Sequence, residues 1–291
     1  MDNHLTGILI TALGVLLIVP DSLFVRLIEA DPLTIAFYRS SIAGLLIFGG
    51  MLAVQGLSGF RAVLKTGWPG LIYVLLMSTT SLGFVMAISL TSVANAVFIF
   101  ASTPVFAAVF SRVFLGEPIR TRMVVTMVIV LAGLGLIAYG SSENSVASWK
   151  GDVIALGVSM SFAAALTAVR KVRATSMIPA LPLAYLISSF GLFFLAEPAQ
   201  VLAHQWPLIG GHGAFVAVSA CLLTLGPRYI SSAEVSLLIL LESVLAPVLV
   251  WAVIGENPGS WALVGGAIVI GTLFVSNMVA LRRRRAERLR G

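Results

Sequence analysis

Long apolar stretches alternate with short polar breaks along the whole chain. Each stretch is about twenty residues long, and a helix of that length, rising 1.5 Å per residue, crosses a hydrocarbon layer of about 30 Å. Strands of a membrane barrel would instead alternate polar and apolar residues over about ten positions. The pattern therefore predicts an all-α integral membrane protein with ten transmembrane helices, near residues 5–24, 33–54, 68–89, 94–115, 122–140, 152–170, 179–198, 208–228, 233–254 and 260–281.

The composition excludes a soluble globular protein. Hydrophobic residues make up 59% of the 291 positions and charged residues only 10%, whereas soluble domains are about 25% charged. With a mean hydropathy of +1.04, the chain must use lipid as its solvent, so helices have to satisfy its backbone polar groups. The one cysteine, Cys221, excludes an intrachain disulfide, and we predict neither a metal nor a cofactor. The histidines at positions 4, 204 and 212 lie near predicted span ends, where we expect interfacial side chains.

The basic residues are distributed unevenly between the predicted connections. If the N-terminus is cytoplasmic, the cytoplasmic segments hold fourteen lysines and arginines, and the outer segments hold only Arg26 and Lys150. Such an excess marks the cytoplasmic side of a membrane protein. We therefore predict that both termini are cytoplasmic and that the protein lies in the inner (plasma) membrane. Anionic lipid explains the arginines of the basic tail, residues 282–291, so we predict no nucleic-acid partner.

One fragment of the sequence occurs twice. The segment Ser92-Val93-Ala94-Asn95 leads through an apolar stretch to Gly116-Glu117, and Ser231-Ser232-Ala233-Glu234 leads to Gly255-Glu256, so that the two glutamates are 139 positions apart. Earlier in each half, Phe24-Val25-Arg26 resembles Ala168-Val169-Arg170. This period, close to half the chain, indicates two copies of one membrane unit.

The predicted units are residues 1–146 and residues 147–281. Each contains five spans, and an odd number of spans makes the second unit enter the membrane from the opposite side. The sequence therefore predicts two inverted five-helix repeats. Inverted repeats are typical of secondary transporters, whose binding site lies where the two halves meet.

Particular motifs are similar to those of a known superfamily. They are the second-span opening Asp31-Pro32-Leu33-Thr34-Ile35-Ala36-Phe37-Tyr38-Arg39, the pair Thr103-Pro104, and Phe114-Leu115-Gly116-Glu117-Pro118 with its repeat near 242–256. In order and spacing the chain resembles the drug/metabolite transporter superfamily in its EamA-type ten-span form. Within it, the chain is most similar to the YddG-type exporters of amino acids, including aromatic ones.

The resemblance implies a central cavity lined by spans 1, 3, 4, 6, 8 and 9, with spans 5 and 10 set apart. The polarity of the chain agrees, because spans 5 and 10 carry few polar residues. They carry small residues instead, which allow helices to approach closely; these are Gly133, Gly135, Ala262, Gly266, Ala267 and Gly271. Scaffold packing and a dimer face are both compatible with this pattern.

Glu242 is the sharpest candidate for a functional residue. It lies about 13 Å deep in the ninth span, at 1.5 Å per residue. An ionised carboxylate there costs about 3 kcal/mol, so we expect it to face protein or a wet cavity, or to be protonated. One interpretation is a structural hydrogen bond between helices; the other is a cavity group that meets a substrate amine or carries a proton. At the 139-residue offset its counterpart is Thr103.

Other polar residues inside spans are weaker candidates. Arg39 could snorkel to the headgroups, form a structural salt bridge or meet a substrate carboxylate, and Asp21 either breaks the first helix after Pro20 or contributes to gating. The remaining candidates are hydroxyls that either bond to their own helix or line a modestly polar cavity suited to a zwitterion; these are Ser78, Thr79, Ser81, Ser102, Thr103 and Ser159.

Four prolines fall in or near predicted spans. Pro20, Pro104, Pro227 and Pro247 remove backbone hydrogen bonds and kink helices. We expect bends in spans 1, 4, 8 and 9, either as fixed curvature or as hinges and gates for alternating access.

These features favour a secondary transporter that exports small amphiphilic metabolites, in particular amino acids, with lipid and a candidate coupled proton as its other partners. A multidrug or cation exporter is the nearest alternative: Glu242 would serve it, although no aromatic cage is evident from the sequence. An intramembrane enzyme is disfavoured because the chain has no His-Glu-x-x-His, no Gly-x-Ser-x-Gly and no phosphate loop. A non-transporting adaptor does not explain duplicated units with polar residues in mid-span.

Overall fold

The computed structural model describes residues 3–119, 121–140, 147–172, 175–226, 229–230 and 232–288. Within these ranges all regular secondary structure is helical. The helices are α1 (Asn3–Ile18), α2 (Asp21–Leu27), α3 (Pro32–Gln55), α4 (Ser58–Leu64), α5 (Trp68–Leu90), α6 (Val93–Phe100), α7 (Thr103–Leu115), α8 (Thr121–Gly140), α9 (Trp149–Lys171), α10 (Ala180–Leu192), α11 (Trp206–Leu225), α12 (Ser232–Ile254) and α13 (Ser260–Arg288).

Nine segments of the described residues are long and apolar enough to cross a membrane. They are His4–Leu27, Pro32–Gln55, Trp68–Leu90, Val93–Leu115, Thr121–Gly140, Trp149–Lys171, Ala203–Leu225, Leu237–Ile254 and Ser260–Arg282. Helix α10 occupies the place of the seventh predicted span, 179–198, but has only 13 residues, about 20 Å of helix. The all-helical membrane architecture is thus confirmed with nine candidate spans.

Prolines and glycines define several helix ends. The first span breaks at Pro20, between α1 and α2, and the fourth breaks at Ala101 and Ser102, just before Pro104. Pro247 lies inside the continuous helix α12, and Pro227 lies outside the described residues. The repeated glycines Gly116 and Gly255 follow the ends of α7 and α12 with φ of 69° and 73°, a backbone conformation that glycine adopts without steric cost.

The packing of the helices has the symmetry of a duplication. In chain order, α1, α3, α5, α7 and α8 of the first half correspond to α9, α10, α11, α12 and α13 of the second. Three contacts therefore have counterparts: α5–α9 corresponds to α11–α1, α3–α11 to α10–α5, and α7–α9 to α12–α1. All six of these pairs pack together. The pairs α3–α10 and α8–α13 also pack and are their own counterparts. Both halves therefore contribute equivalent surfaces to one bundle.

Helices α8 and α13 form a closely packed pair at its side. A Cβ atom placed on Gly133 would lie 3.0 Å from the Gly265 carbonyl oxygen, and one on Gly265 would lie 2.6 Å from the Gly133 carbonyl oxygen. The two backbones can approach this closely only because both residues lack a side chain. By contrast, a Cβ on Gly135 or Gly271 would meet no atom within 4 Å, so only part of the predicted set of small residues serves this contact.

Candidate functional site

A cavity of about 590 Å³ lies between the two halves. Its deep part contains Asp21, Arg39 and Glu242, and its mouth contains Glu117 and Arg170. The side chains of Asp21 and Arg39 are 1% and 6% exposed, whereas those of Glu117 and Arg170 are 53% and 52% exposed. The cavity therefore opens at one end of the bundle, which we call the Arg170 end; the opposite end is the Arg26 end.

A buried ion cluster closes the deep part of the cavity. Arg39 donates from Nε to Asp21 Oδ1 at 2.9 Å and from Nη2 to Asp21 Oδ2 at 2.5 Å. The ring Nε2 of His212 lies 2.5 Å from Asp21 Oδ1. These three residues lie on α2, α3 and α11, so the cluster ties together helices of both halves.

The cluster corrects the expectation for His212 and agrees with one of the interpretations of Arg39, the structural salt bridge. His212 was expected at the membrane interface but is only 1% exposed, and its ring stacks on Phe24 with 5.3 Å between centroids. Arg39 does not snorkel to the headgroups, because Asp21 holds its guanidinium inside the bundle, 5.0 Å above the Phe84 ring. Sequence spacing gives no signal for this pairing, since Asp21 and His212 are 191 positions apart.

Glu242 lies on α12 and lines the same cavity. Within the described part of the chain its carboxyl group makes neither a hydrogen bond nor an ion pair, so the structural hydrogen bond considered from the sequence is not formed there. It lies near enough to Asp21 and Arg39 to interact electrostatically with both. Because Asp21 and Arg39 neutralise each other, Glu242 is the carboxyl of the deep cavity that is free to meet a cationic group.

Two of the predicted hydroxyl residues reach the cavity. Thr103 and Ser159 both line it, and their hydroxyl oxygens are 3.0 Å apart. Ser102 lies directly behind them, fully buried, and donates to the Ile99 carbonyl oxygen at 2.6 Å. Pro104 also lines the cavity, at the break between α6 and α7.

The hydroxyl run in the third span contributes differently from the expectation. Ser81 is buried and accepts from Arg39 Nη1 at 3.0 Å, so it supports the ion cluster from behind. Ser78 is also buried outside the cavity lining. Thr79 is exposed on the outer face of α5, where its hydroxyl donates to the Leu76 carbonyl oxygen at 2.8 Å. Instead, the neighbouring hydroxyl residue Thr80, between Thr79 and Ser81, lines the cavity.

Three aromatic side chains that the sequence pattern does not single out form part of the cavity wall. Phe84, Phe100 and Phe162 all line the cavity, and the rings of Phe84 and Phe100 stack with centroids 5.4 Å apart. One signal was available: Phe84 follows Thr80 by one helical turn and therefore shares its face of α5. The other two phenylalanines cannot be told from core residues by their spacing.

The set of helices around the cavity also differs from the one that the family resemblance implies. The lining includes Arg39 of the second span, Arg122 and Met123 of the fifth, and Asn277 of the tenth, but none of the eighth-span residues that the structure describes, 208–226. The eighth span, α11, acts from behind through His212. Spans 5 and 10 reach the cavity at its mouth, because α8 begins and the membrane part of α13 ends at the Arg170 end.

A polar cluster closes the Arg26 end. Arg26 Nε lies 2.8 Å from Glu256 Oε2, an ion pair in which the N–H is not aligned for a hydrogen bond. Arg26 Nη2 donates to the Thr91 carbonyl oxygen at 2.8 Å, and Glu256 Oε1 accepts from the Val93 backbone N–H at 2.7 Å. The Thr91 hydroxyl in turn donates to Asp152 Oδ1 at 2.6 Å.

No group of three or more His, Cys, Asp or Glu side chains in the described ranges is arranged to hold a metal ion.

The architecture is that of a membrane transporter: a helical membrane bundle of two like halves, with a cavity between them that opens at one end. The EamA-like transporter family matches residues 5–139 and again residues 149–278. The chain therefore belongs to the EamA-like transporter family and contains two EamA repeats.

A solved structure, described only as a crystal structure of a protein, is similar to this chain. It is 17% identical, with a TM-score of 0.63, over 96% of this chain and 99% of its own. At this identity the likeness shows a shared fold and nothing about the substrate. No curated protein sequence matches the chain.

Proposed function

We propose that this protein exports amino acids, aromatic ones included, and related small amphiphilic metabolites across the inner membrane by alternating access. The observation that carries this proposal is the cavity itself, which is closed at the Arg26 end and open at the Arg170 end. Its volume, about 590 Å³, lies within the range of small-molecule sites. Its wall is largely apolar and aromatic, with a few polar groups in its deep part, which suits a zwitterion that has an apolar side chain.

The polar groups divide between the two ends of such a substrate. The carboxyl group of Glu242 would face the substrate ammonium, since Arg39 is already neutralised by Asp21. The Ser159 hydroxyl, whose hydrogen can turn from Thr103 Oγ1 toward a ligand, would donate to the substrate carboxylate; the Thr103 hydroxyl donates to the Phe100 carbonyl oxygen at 2.7 Å. The rings of Phe84 and Phe100 would pack against an apolar or aromatic side chain, which favours offset or edge contacts between rings.

The predicted topology belongs to this proposal. In the structure the start of α1 lies at the Arg170 end, where His4 Nε2 is 2.7 Å from Glu234 Oε1 near the start of α12. Helix α13 begins beyond Glu256 at the Arg26 end and runs to the same Arg170 end. We propose that this end is cytoplasmic, that α10 is the seventh of ten spans, and that the repeats are residues 1–146 and 147–281, followed by the basic tail 282–291.

With that orientation the structure is an inward-open state. Export requires the cavity to close at the cytoplasmic end and to open at the other. The breaks at Pro20 and Pro104 lie beside the cavity and are the proposed bending points; Pro247 within α12 is a third, and Pro227 completes the predicted set.

One observation favours the alternative, a cation exporter. An available carboxyl group, Glu242, and three phenylalanines line the same cavity, and aromatic faces attract cations. The aromatic lining that was not evident from the sequence is thus present in the structure. An amino acid and a lipophilic cation would bind to the same carboxyl group. One experiment that offers both substrates can therefore distinguish the two proposed functions.

The test measures uptake into proteoliposomes of labelled phenylalanine and of labelled tetraphenylphosphonium, for the wild type and for Glu242→Gln, with and without a pH gradient. The amino-acid proposal predicts saturable phenylalanine flux that falls at least tenfold in Glu242→Gln, while the variant inserts normally. Cation flux without phenylalanine flux would replace it with the cation exporter. Undiminished flux of Glu242→Gln at every pH would exclude Glu242 as the substrate and proton site.

A further inference from the structure

Two ion pairs at opposite ends of the bundle are related by the duplication. The sequence repeat aligns Arg26 with Arg170, each at the end of the first span of its half, and Glu117 with Glu256, each following the glycine that ends a fourth span. In the structure Arg26 pairs with Glu256, and Arg170 pairs with Glu117. Each pair therefore joins the first half to the second, and exchanging the halves converts one pair into the other.

The two counterparts are in different states. The Arg26–Glu256 pair is buried, with side chains 17% and 8% exposed and 2.8 Å between its charged atoms. It is docked on the junction between α5 and α6, through the bonds from Arg26 to the Thr91 carbonyl and from the Val93 N–H to Glu256. This docking closes the bundle at the Arg26 end.

The Arg170–Glu117 pair is open by comparison. Its side chains are about half exposed, its charged atoms are 3.3 Å apart, and Arg170 also donates to the Ser111 hydroxyl at 2.9 Å. Both residues line the cavity mouth. By the 139-residue repeat, Thr91 and Val93 correspond to Ile230 and Ser232, and Ser232 begins α12. The mouth is therefore the counterpart of the docked contact.

We propose that these are the two gates of the transport cycle, and that the protein alternates between docking Arg26–Glu256 on Thr91 and Val93 and docking Arg170–Glu117 on Ile230 and Ser232. In the outward-open state Arg170 would donate to the Ile230 carbonyl and Glu117 would accept from the Ser232 backbone N–H. Charge-assisted hydrogen bonds of this kind are strong. They can therefore keep one gate closed in the absence of substrate while the other gate stays open. The proposal rests on the alternating access proposed above but on no particular substrate.

The test measures the distance across each gate by double electron–electron resonance in lipid nanodiscs. With Cys221→Ser as background, one spin-label pair at Lys171 and Tyr229 reports on the Arg170 end, and another at Leu90 and Asn257 reports on the Arg26 end. All four positions are exposed. Each label pair is measured in the parent, Arg26→Ala, Arg170→Ala and a control.

Arg26→Ala removes the docking contacts of the closed gate, so the Leu90–Asn257 distance should lengthen and the Lys171–Tyr229 distance should shorten in the same sample. Losing one or two charged hydrogen bonds should change the ratio of the two states by about tenfold or more. Arg170→Ala should keep the present state and slow transport, because the Arg170 end no longer closes. The control is Arg112→Ala, an exposed arginine in the last turn of α7, which should change neither distance.

Should Arg26→Ala not fold, Glu256→Ala removes the ion pair and the bond from the Val93 N–H at the same gate, and the same changes in both distances are expected. The charge exchange Arg170→Glu with Glu117→Arg restores an ion pair but neither backbone bond, because a carboxylate cannot donate to the Ile230 carbonyl and a guanidinium cannot accept from the Ser232 N–H; it should therefore not recover the transport rate. If folded variants of the Arg26 gate move only the distance beside them, or neither distance, the proposal is wrong. The distances need no substrate: shifted distances without amino-acid flux would contradict the proposed substrate alone, and normal flux with unshifted distances would contradict the gates alone.

Discussion

Replacing Arg39 by methionine removes the positive charge of the buried cluster while keeping an apolar side chain of similar length. In the native protein Arg39 neutralises Asp21 and bonds to both of its carboxylate oxygens and to Ser81. After the substitution Asp21, 1% exposed, keeps His212 alone among the described residues as a close partner. Breaking a buried ion pair by removing one member costs about 3–5 kcal/mol, and we expect a loss of unfolding free energy of that size.

The loss can be measured by unfolding the protein from mild detergent micelles with added SDS. Arg39→Lys keeps the charge but not the planar fork that bonds to both oxygens, so it should lose about 1.5–3 kcal/mol. Arg39→Met combined with Asp21→Asn removes both charges and should be more stable than Arg39→Met alone. The matched control is Arg112→Met on the exposed surface, which should stay within about 0.5 kcal/mol of the wild type.

The reasoning would be refuted by equal losses in Arg39→Met and Arg112→Met. It would also be refuted if the double variant were less stable than Arg39→Met, because an uncompensated carboxylate would then not be the source of the cost. In either case the Asp21–Arg39 contact would not carry the stability that its burial implies.

Two further predictions concern packing and the cavity wall. Gly133→Leu should separate α8 from α13 and lower the unfolding free energy in the same SDS titration. Gly135 faces open space, so Gly135→Leu should leave the unfolding free energy nearly unchanged. Equal losses in the two variants would contradict the close contact. Phe84→Ala should weaken phenylalanine binding about tenfold through loss of a ring contact, as measured by equilibrium dialysis on the purified protein. Phe114 is exposed on α7, so Phe114→Ala should not change the affinity. Unchanged affinity in Phe84→Ala would place the substrate elsewhere.

The helical bundle and its duplication could be predicted because they depend on one-dimensional properties. A span of about twenty apolar residues is dictated by bilayer thickness, and a repeat is visible as a period. The exception is α10, which has 13 residues. Apolar residues continue beyond it as Phe193, Phe194 and Leu195, so hydropathy predicts a longer helix than the backbone forms, and a turn follows Leu192.

The candidate site could be predicted only where a polar residue stands alone in an apolar span. Glu242 and Arg39 met that condition, because a charge in lipid needs a wet or paired environment. A hydroxyl residue in a span does not need such an environment, since its side chain can bond to its own helix, as that of Thr79 does. The pairing of Asp21 with His212 depends on which helices of the two halves are neighbours, and no periodicity in the chain contains that information.

The measurement that tests the central claim most directly is counterflow of labelled phenylalanine in proteoliposomes that are preloaded with unlabelled phenylalanine. An alternating-access amino-acid transporter should transiently accumulate labelled phenylalanine inside the liposomes above its outside concentration, without an ion gradient. This overshoot should vanish in liposomes without preloaded phenylalanine, and it should fall sharply in Glu242→Gln. No overshoot for phenylalanine or any other amino acid, from protein whose insertion into the bilayer has been verified, would contradict the account.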